Sequence, residues 1–236
     1  MSTHLDRRPT ALIVHAHPEP TSFNPAQSQI AREALEAQGY SVEFIDLYAA
    51  QWNPVLDRGE FAPFEGAFKP QREQHHAVET GTLAPDVRAD LDTLLRADLL
   101  VLSFPLWWFS VPAILKGWLD RVFVMGAVFG GEFGLYEQAA MTGRRAVILA
   151  TTGGSPGSFE PEGAFGDIDG FLFHVNRGML EFVGYDALQP IITYGPAHLN
   201  AAARTAALEA VRDAFIDIDT RALAASARSL AAANSR

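Results

Sequence analysis

The sequence predicts an α/β domain built on a single doubly wound sheet of five parallel strands in the order 2-1-3-4-5. Three observations lead there. Five short apolar or alternating runs are interleaved with amphipathic segments, as expected of βαβ units with right-handed crossovers. The run DLLVLSF from 98 to 104 is apolar at almost every position, which suits a strand covered on both faces. No repeat, low-complexity linker or compositional break divides the 236 residues, so 1–236 is read as one domain.

Composition narrows the function. Hydrophobic residues make up 48% and charged residues 19%, so the chain has the means to fold. With 28 acidic against 18 basic side chains, a net charge of -10 and no Lys/Arg-rich block, neither nucleic acid nor an anionic membrane surface is an expected partner. The absence of cysteine excludes disulfides, thiolate metal sites and thiol nucleophiles, so redox chemistry would need a bound cofactor. No apolar run reaches the ~20 residues of a membrane span. MSTHLDRRPT lacks an apolar signal core, and a cytoplasmic location is expected.

Ala11 to Ala16, ALIVHA, reads as the first strand. Asn24 as N-cap and Pro25 at the first helical position open an amphipathic helix that ends near Gly39. The loop between them carries His17, Thr21, Ser22 and Phe23, so hydroxyls and free N–H groups converge where a helix dipole favours an anion. An ordinary capping loop would look the same. His15 reads as a strand-end histidine without a chemical role. Ser41 to Asp46 alternates as the second strand.

From 49 to 85 no periodicity is sustained. A stretch of that length is read as an ordered insertion, with Trp52, Phe61, Phe64 and Phe68 to bury, in part against a second subunit. His75 and His76 are adjacent, lack a ligand at helical spacing and are expected to face solvent; no metal site is expected. Pro85 to Ala97 is a helix with Val87, Leu91, Leu94 and Leu95 on one face.

Asp98 to Phe104 is the central strand, and Pro112 opens the next helix. Between them Pro105, Leu106, Trp107, Trp108 and Phe109 lie at the carboxyl edge of the sheet, where α/β folds bind ligands. An aromatic shelf there suits a flat conjugated ring, and a hydrophobic plug would have the same composition. Arg144 to Ala150 is the fourth strand. It runs into Thr151, Thr152, Gly153 and Gly154, where backbone can approach a ligand and turn N–H groups toward a ring oxygen, or make a plain turn. Asp169 to Val183 is a helix closed by Gly184, Leu188 to Tyr194 the fifth strand, and Asn200 to about Ala225 a last helix with Leu208, Val211, Phe215 and Leu223 on a stripe. The Ala-rich end beyond it is expected to fray.

These segments resemble the NAD(P)H:quinone oxidoreductases of the DT-diaphorase type, a flavodoxin-like family of FAD enzymes. Family members carry FPL, a variable residue, WF, another variable residue and VPAILKGW, which correspond here to Phe104 through Trp118. The family's AH, three variable residues and TSFN match Ala16, His17 and Thr21 to Asn24; its DLY matches Asp46 to Tyr48; its TTGGS matches Thr151 to Ser155. The resemblance extends from Ala11 to about Arg204. It implies a flavodoxin-like fold, a homodimer, an FAD whose pyrophosphate docks at TSFN with His17, and Arg204 near the adenosine end. It also implies a flavin ring flanked by Pro105 to Phe109 and faced by Thr151 to Gly154, with NAD(P)H as donor and a quinone-like acceptor.

Two departures follow TTGGS and the segment before it. A family Tyr and, six residues on, a His beside flavin and substrate fall on Phe159 and Phe165, which have no proton to donate. Two family tyrosines near the partner's substrate pocket fall on Phe129 and Gly131, so the pocket is expected to be more apolar. A reductase of nitro, azo or other specialised substrates, or a flavin-binding regulatory subunit, therefore remains an alternative.

Overall fold

The computed structural model describes residues 7–224. In chain order the elements are β1 Thr10–His15, α1 Phe23–Ala37, β2 Ser41–Asp46, α2 Pro70–Thr80, α3 Pro85–Arg96, β3 Leu99–Pro105, α4 Ala113–Val122, β4 Arg145–Thr152, α5 Ile168–Val175, β5 Asp186–Ala187, β6 Ile191–Tyr194 and α6 Ala201–Ile216. Strands β2, β1, β3, β4 and β5 lie in that order, β6 also pairs with β4, and every pairing is parallel. This is the flavodoxin-like sheet that the alternation predicts.

The strands build the core by pointing alternate residues to opposite faces. Leu12, Val14, Leu100 and Leu102 pack with α3 and α4 in one apolar layer. Ala11, Ile13, Leu99 and Val101 pack with α1 and α6 in the other. All seven residues of β3 are buried, as a strand covered on both faces must be. The register sets His15 beside Ser103, Pro105 beside Thr151 and Thr152 beside Tyr194, which brings the carboxyl ends of β1, β3, β4 and β6 into one row.

Several expectations need correction. The fifth strand is shorter than expected: β6 covers only Ile191–Tyr194, because Gln189 donates to the Ala222 carbonyl and Pro190 has no N–H for the ladder, and the short β5 lies before the expected start at Leu188. Ser22, not Asn24, is the N-cap of α1, whereas Pro112 stands at the N-terminus of α4 as expected, as its N-cap. The segment after Asp169 is α-helical only to Val175; a π-turn (Asn176–Leu180) and a 3-10 turn follow before Gly184 closes it with φ +105. The last helix stops at Ile216, and Leu223 is largely exposed on an extended tail that bridges Leu188. The fraying expected of the Ala-rich end lies outside the described residues.

Part of the stretch from 49 to 85 is helix α2. That helix has no apolar stripe, since it buries Glu73, Gln74 and Ala77, so hydrophobic period did not reveal it. Arg121 pins the insertion to α4: its guanidinium binds Glu60 at 2.8 Å, the Asn53 carbonyl at 2.7 Å and Asp86 at 3.0 Å, with its cation over the Trp52 ring. A Cβ on Gly117 would sit 2.2 Å from the Pro54 carbonyl oxygen, so only glycine allows this approach. His76 is exposed as expected, but Glu79 stands at helical spacing 3.8 Å from His75, and His75 is half-buried. It packs on the loop after α4, and a Cβ at Gly126 would meet its ring at 2.5 Å.

Candidate active site

The loops after β1, β3 and β4 meet at the carboxyl row. At the β1 end, Ser22 caps α1 by position only: no hydrogen bond from its side chain to the helix is made, and its hydroxyl meets His17 Nδ1 at 3.0 Å. The N–H groups of the first turn are thereby left for another acceptor, and the helix dipole adds to their pull on an anion. The Glu19 N–H also points at His17 Nδ1 at 3.0 Å, and the Glu19 carbonyl lies 3.1 Å from the same nitrogen. The Thr21 hydroxyl is bound to Glu19 at 2.6 Å, and that bond together with the Thr21 N–H holds the Glu19 carboxyl below its usual range. A bound anion would have to displace Glu19 to use Thr21.

Asn24 is turned inward. Its side chain is buried, donates to Thr151 Oγ1 at 3.1 Å and accepts from Ser103 at 3.2 Å, so it bridges the ends of β3 and β4. Phe23 is buried beneath Arg204, whose guanidinium lies 5.5 Å from the ring centroid and donates to the Pro196 carbonyl.

A cleft of about 370 Å³ opens between the loops after β3, β4 and β6, lined by Pro105, Leu106, Trp107, Trp108, Thr151, Thr152, Gly153, Pro196 and Ala197. The aromatic shelf is a tight turn in which Trp107 and Ser110 exchange both backbone hydrogen bonds. Trp108 and Phe109 sit at φ +51 and +57, a conformation that costs a side-chain-bearing residue about 1–2 kcal/mol. Trp108 is 95% exposed, so packing of its own ring does not offset that cost; strained exposed aromatics are a mark of function. The turn is held from α5: Phe109 stacks on Phe171 at 4.4 Å, and the Ser110 hydroxyl meets His174 Nε2 at 3.0 Å.

Opposite the shelf, the N–H groups of Gly153 and Gly154 find no acceptor among the described residues. Phe159 and Phe165 close over Gly154, where a Cβ would meet their rings at 3.0 and 2.9 Å. With Phe109 and Phe171 they form one aromatic cluster, and none of the four holds a proton for transfer. Tyr194 brings a phenol to this cluster, 5.8 Å from Phe159. Burial and the nearby Asp169 and Asp167 raise its pKa, so it stays protonated.

Phe129 and Gly131 lie apart from the cleft. Phe129 meets Phe182 edge-on beside a cavity of about 490 Å³ with a mixed lining. Gly131 has φ +62, and a Cβ there would stand 2.9 Å from His75 Nε2, so His75 fills the space a larger residue would need. Of the residues singled out in the sequence, those from the loops after β1, β3 and β4 converge, joined by Arg204. The sequence left out Ser103, Phe171, His174 and the Pro196 loop. A serine inside the apolar run of β3 is the one signal that pointed to Ser103.

The aromatic turn, the unpaired N–H groups and the helix N-terminus lie together at the switch of a doubly wound sheet, the edge at which such folds bind ligands. The family model described as flavodoxin-like fold matches residues 9–217, and the chain belongs to that family. Rat NAD(P)H dehydrogenase [quinone] 1 is 38% identical over 202 residues, covering 84% of this chain and 73% of the rat protein. Human ribosyldihydronicotinamide dehydrogenase [quinone] is 38% identical over 188 residues, covering 78% and 81%. A Klebsiella pneumoniae structure provisionally designated a quinone reductase superposes with a TM-score of 0.86 at 34% identity, covering 91% of this chain and 86% of the other. Within its fold family the chain is thus an oxidoreductase, similar over most of its length to the NAD(P)H dehydrogenases [quinone].

Proposed function

We propose that the chain is an FAD enzyme that moves two electrons from NAD(P)H to a quinone by alternate binding at one site. The observation that carries this reading is the cleft that sets the strained Trp107–Phe109 shelf against the unpaired N–H groups of Gly153 and Gly154, with the open N-terminus of α1 on the same edge. Bound flavin supplies hydride chemistry between nicotinamide and acceptor. The chain's own groups bind, orient and exclude water. The first turn of α1, with Thr21, Ser22, Phe23 and Asn24, takes the diphosphate, and His17 fixes Ser22. Arg204 attends the adenosine end. Pro105 and Leu106 form the floor with Trp107, Trp108 and Phe109 as walls, and Thr151 and Thr152 complete the rim. Gly153 and Gly154 aim N–H donors at the ring edge where negative charge grows.

The aromatic cluster of Phe109, Phe159, Phe165 and Phe171 keeps water out and gives the acceptor an apolar setting. A cytoplasmic homodimer belongs to the same reading. Phe165 and Phe173 stay exposed near this edge, which a second subunit would cover. Light scattering at low micromolar protein should give twice the 25.7 kDa chain mass; a persistent monomer with full activity refutes the dimer.

The two phenylalanines at 159 and 165 favour a second reading, reduction of nitro, azo or another specialised acceptor. Steady-state turnover with NADH and NADPH against quinones, nitroarenes and azo dyes separates the two. Quinones as the preferred acceptors support the first reading, and preference for nitro or azo compounds supports the second. Flavin binding without turnover of any acceptor points to a regulatory subunit.

A further inference from the structure

The apolar layer between β1, β3 and α1 contains one polar island. His15, Ser28, Ser103 and Asn24 are all at most 2% exposed. Ser28 Oγ lies 3.0 Å from the Asn24 carbonyl, and Ser103 donates to Asn24 Oδ1 at 3.2 Å. Asn24 in turn donates to Thr151 Oγ1. The two serine oxygens are 2.5 Å apart, and His15 Nδ1 lies 3.1 Å from one and 3.2 Å from the other.

A hydroxyl has one proton, and the 2.5 Å contact between the two serine oxygens needs one of the two. With His15 Nδ1–H donating to Ser28, Ser28 turns its proton to Ser103 rather than to the Asn24 carbonyl, and Ser103 keeps its own for Asn24 Oδ1. Nε2 then carries a lone pair, buried and without a partner among the described residues. Were His15 an acceptor instead, a serine proton would turn to its Nδ1 and the chain that ends on Asn24 Oδ1 would be broken.

We propose that His15 and Ser103 are positioning residues that lock the Asn24 carboxamide to Thr151 and so hold the diphosphate end and the ring end of the cofactor cradle in register. Asn24 rides on the first turn of α1, where the diphosphate is to dock, and Thr151 borders the ring cleft. FAD engages both ends at once, so its affinity contains a linkage contribution set by how well the two ends are spaced. Riboflavin reaches only the ring end, and ADP only the diphosphate end. Breaking the lock should therefore weaken FAD and spare its halves. The inference rests on the FAD reading above.

The test titrates the full chain, stripped of flavin, with FAD, riboflavin and ADP in the parent, Ser103→Ala and His15→Leu. Loss of one buried hydrogen bond gives on the order of tenfold weaker FAD binding, with riboflavin and ADP shifted less than about twofold. Unchanged FAD affinity in both variants overturns the inference, and so does parallel weakening of all three ligands, which marks general loosening. If Ser103→Ala does not fold, Ser28→Ala interrupts the same chain one residue earlier, outside the cleft. A parent that binds FAD no more tightly than riboflavin fails the cofactor reading itself and takes this inference with it.

Discussion

Acid should unfold this protein through His15. Burial holds its pKa down at about 4 from the usual 6.5; nearby Asp46 favours the charged form without compensating, and His17 disfavours it. The cause is visible in the hydrogen bonds, because a second ring proton would sit on Nε2 in a place that offers it no acceptor. The sign follows from linkage. An unfolded chain takes up the proton near pH 6.5, whereas the folded chain refuses it until about 4, so the unfolded state binds more protons between the two and stability falls as pH falls. The full contribution is present above 6.5 and is lost by about 4. A difference of about 2.5 pH units at ~1.36 kcal/mol each amounts to about 3.4 kcal/mol, a large share of a typical domain's stability. Equilibrium urea unfolding at pH 7 and pH 4 measures it, with parent and His15→Leu compared at one protein concentration. The parent should lose about 3 kcal/mol more than the variant over that interval. Equal losses would show that His15 is not held neutral, and the directed bond pattern from His15 to Asn24 would fall with it.

Restoring donors with Phe159→Tyr and Phe165→His should speed flavin reduction by NAD(P)H, by up to about 10²-fold in stopped flow; no gain would mean that Gly153 and Gly154 already supply the stabilisation. Trp108→Gly should raise thermal stability, since relief of about 1–2 kcal/mol at φ +51 exceeds the ~0.5–1 kcal/mol entropic cost of glycine, while flavin affinity drops. A melt that shows destabilisation would refute the strain. Gly131→Tyr should cost about 1–3 kcal/mol by urea unfolding, because of its φ of +62 and the His75 ring, and His75→Ala should recover part of that loss.

Much of the architecture was legible because each strand carried its own pattern. The apolar run of β3, interrupted only by Ser103, announced a central strand, and PLWWF after it lies as expected at the carboxyl edge of the sheet. Helix α2 was hidden because it buries polar residues against α4: Gln74 donates to the Asp120 carbonyl, a contact with no hydrophobic period. The shortening of the fifth strand turned on Pro190, whose lost N–H matters only once a neighbour is known. At the site, the motifs identified the loops but not the directions of their side chains. Asn24 looked like a cap and is a buried bridge, because hydrogen bonds across 79 and 127 residues leave no trace in local sequence.

The central claim is that the open helix N-terminus and the ring cleft are two ends of one FAD site. Chromatography of the flavin released by heating the purified protein tests it most directly. FAD in near-stoichiometric amount is the result expected from a cradle that spans Ser22 to Gly154 with Arg204 at its far end. Release of FMN alone would contradict it, because the adenosine end would then have nothing to hold.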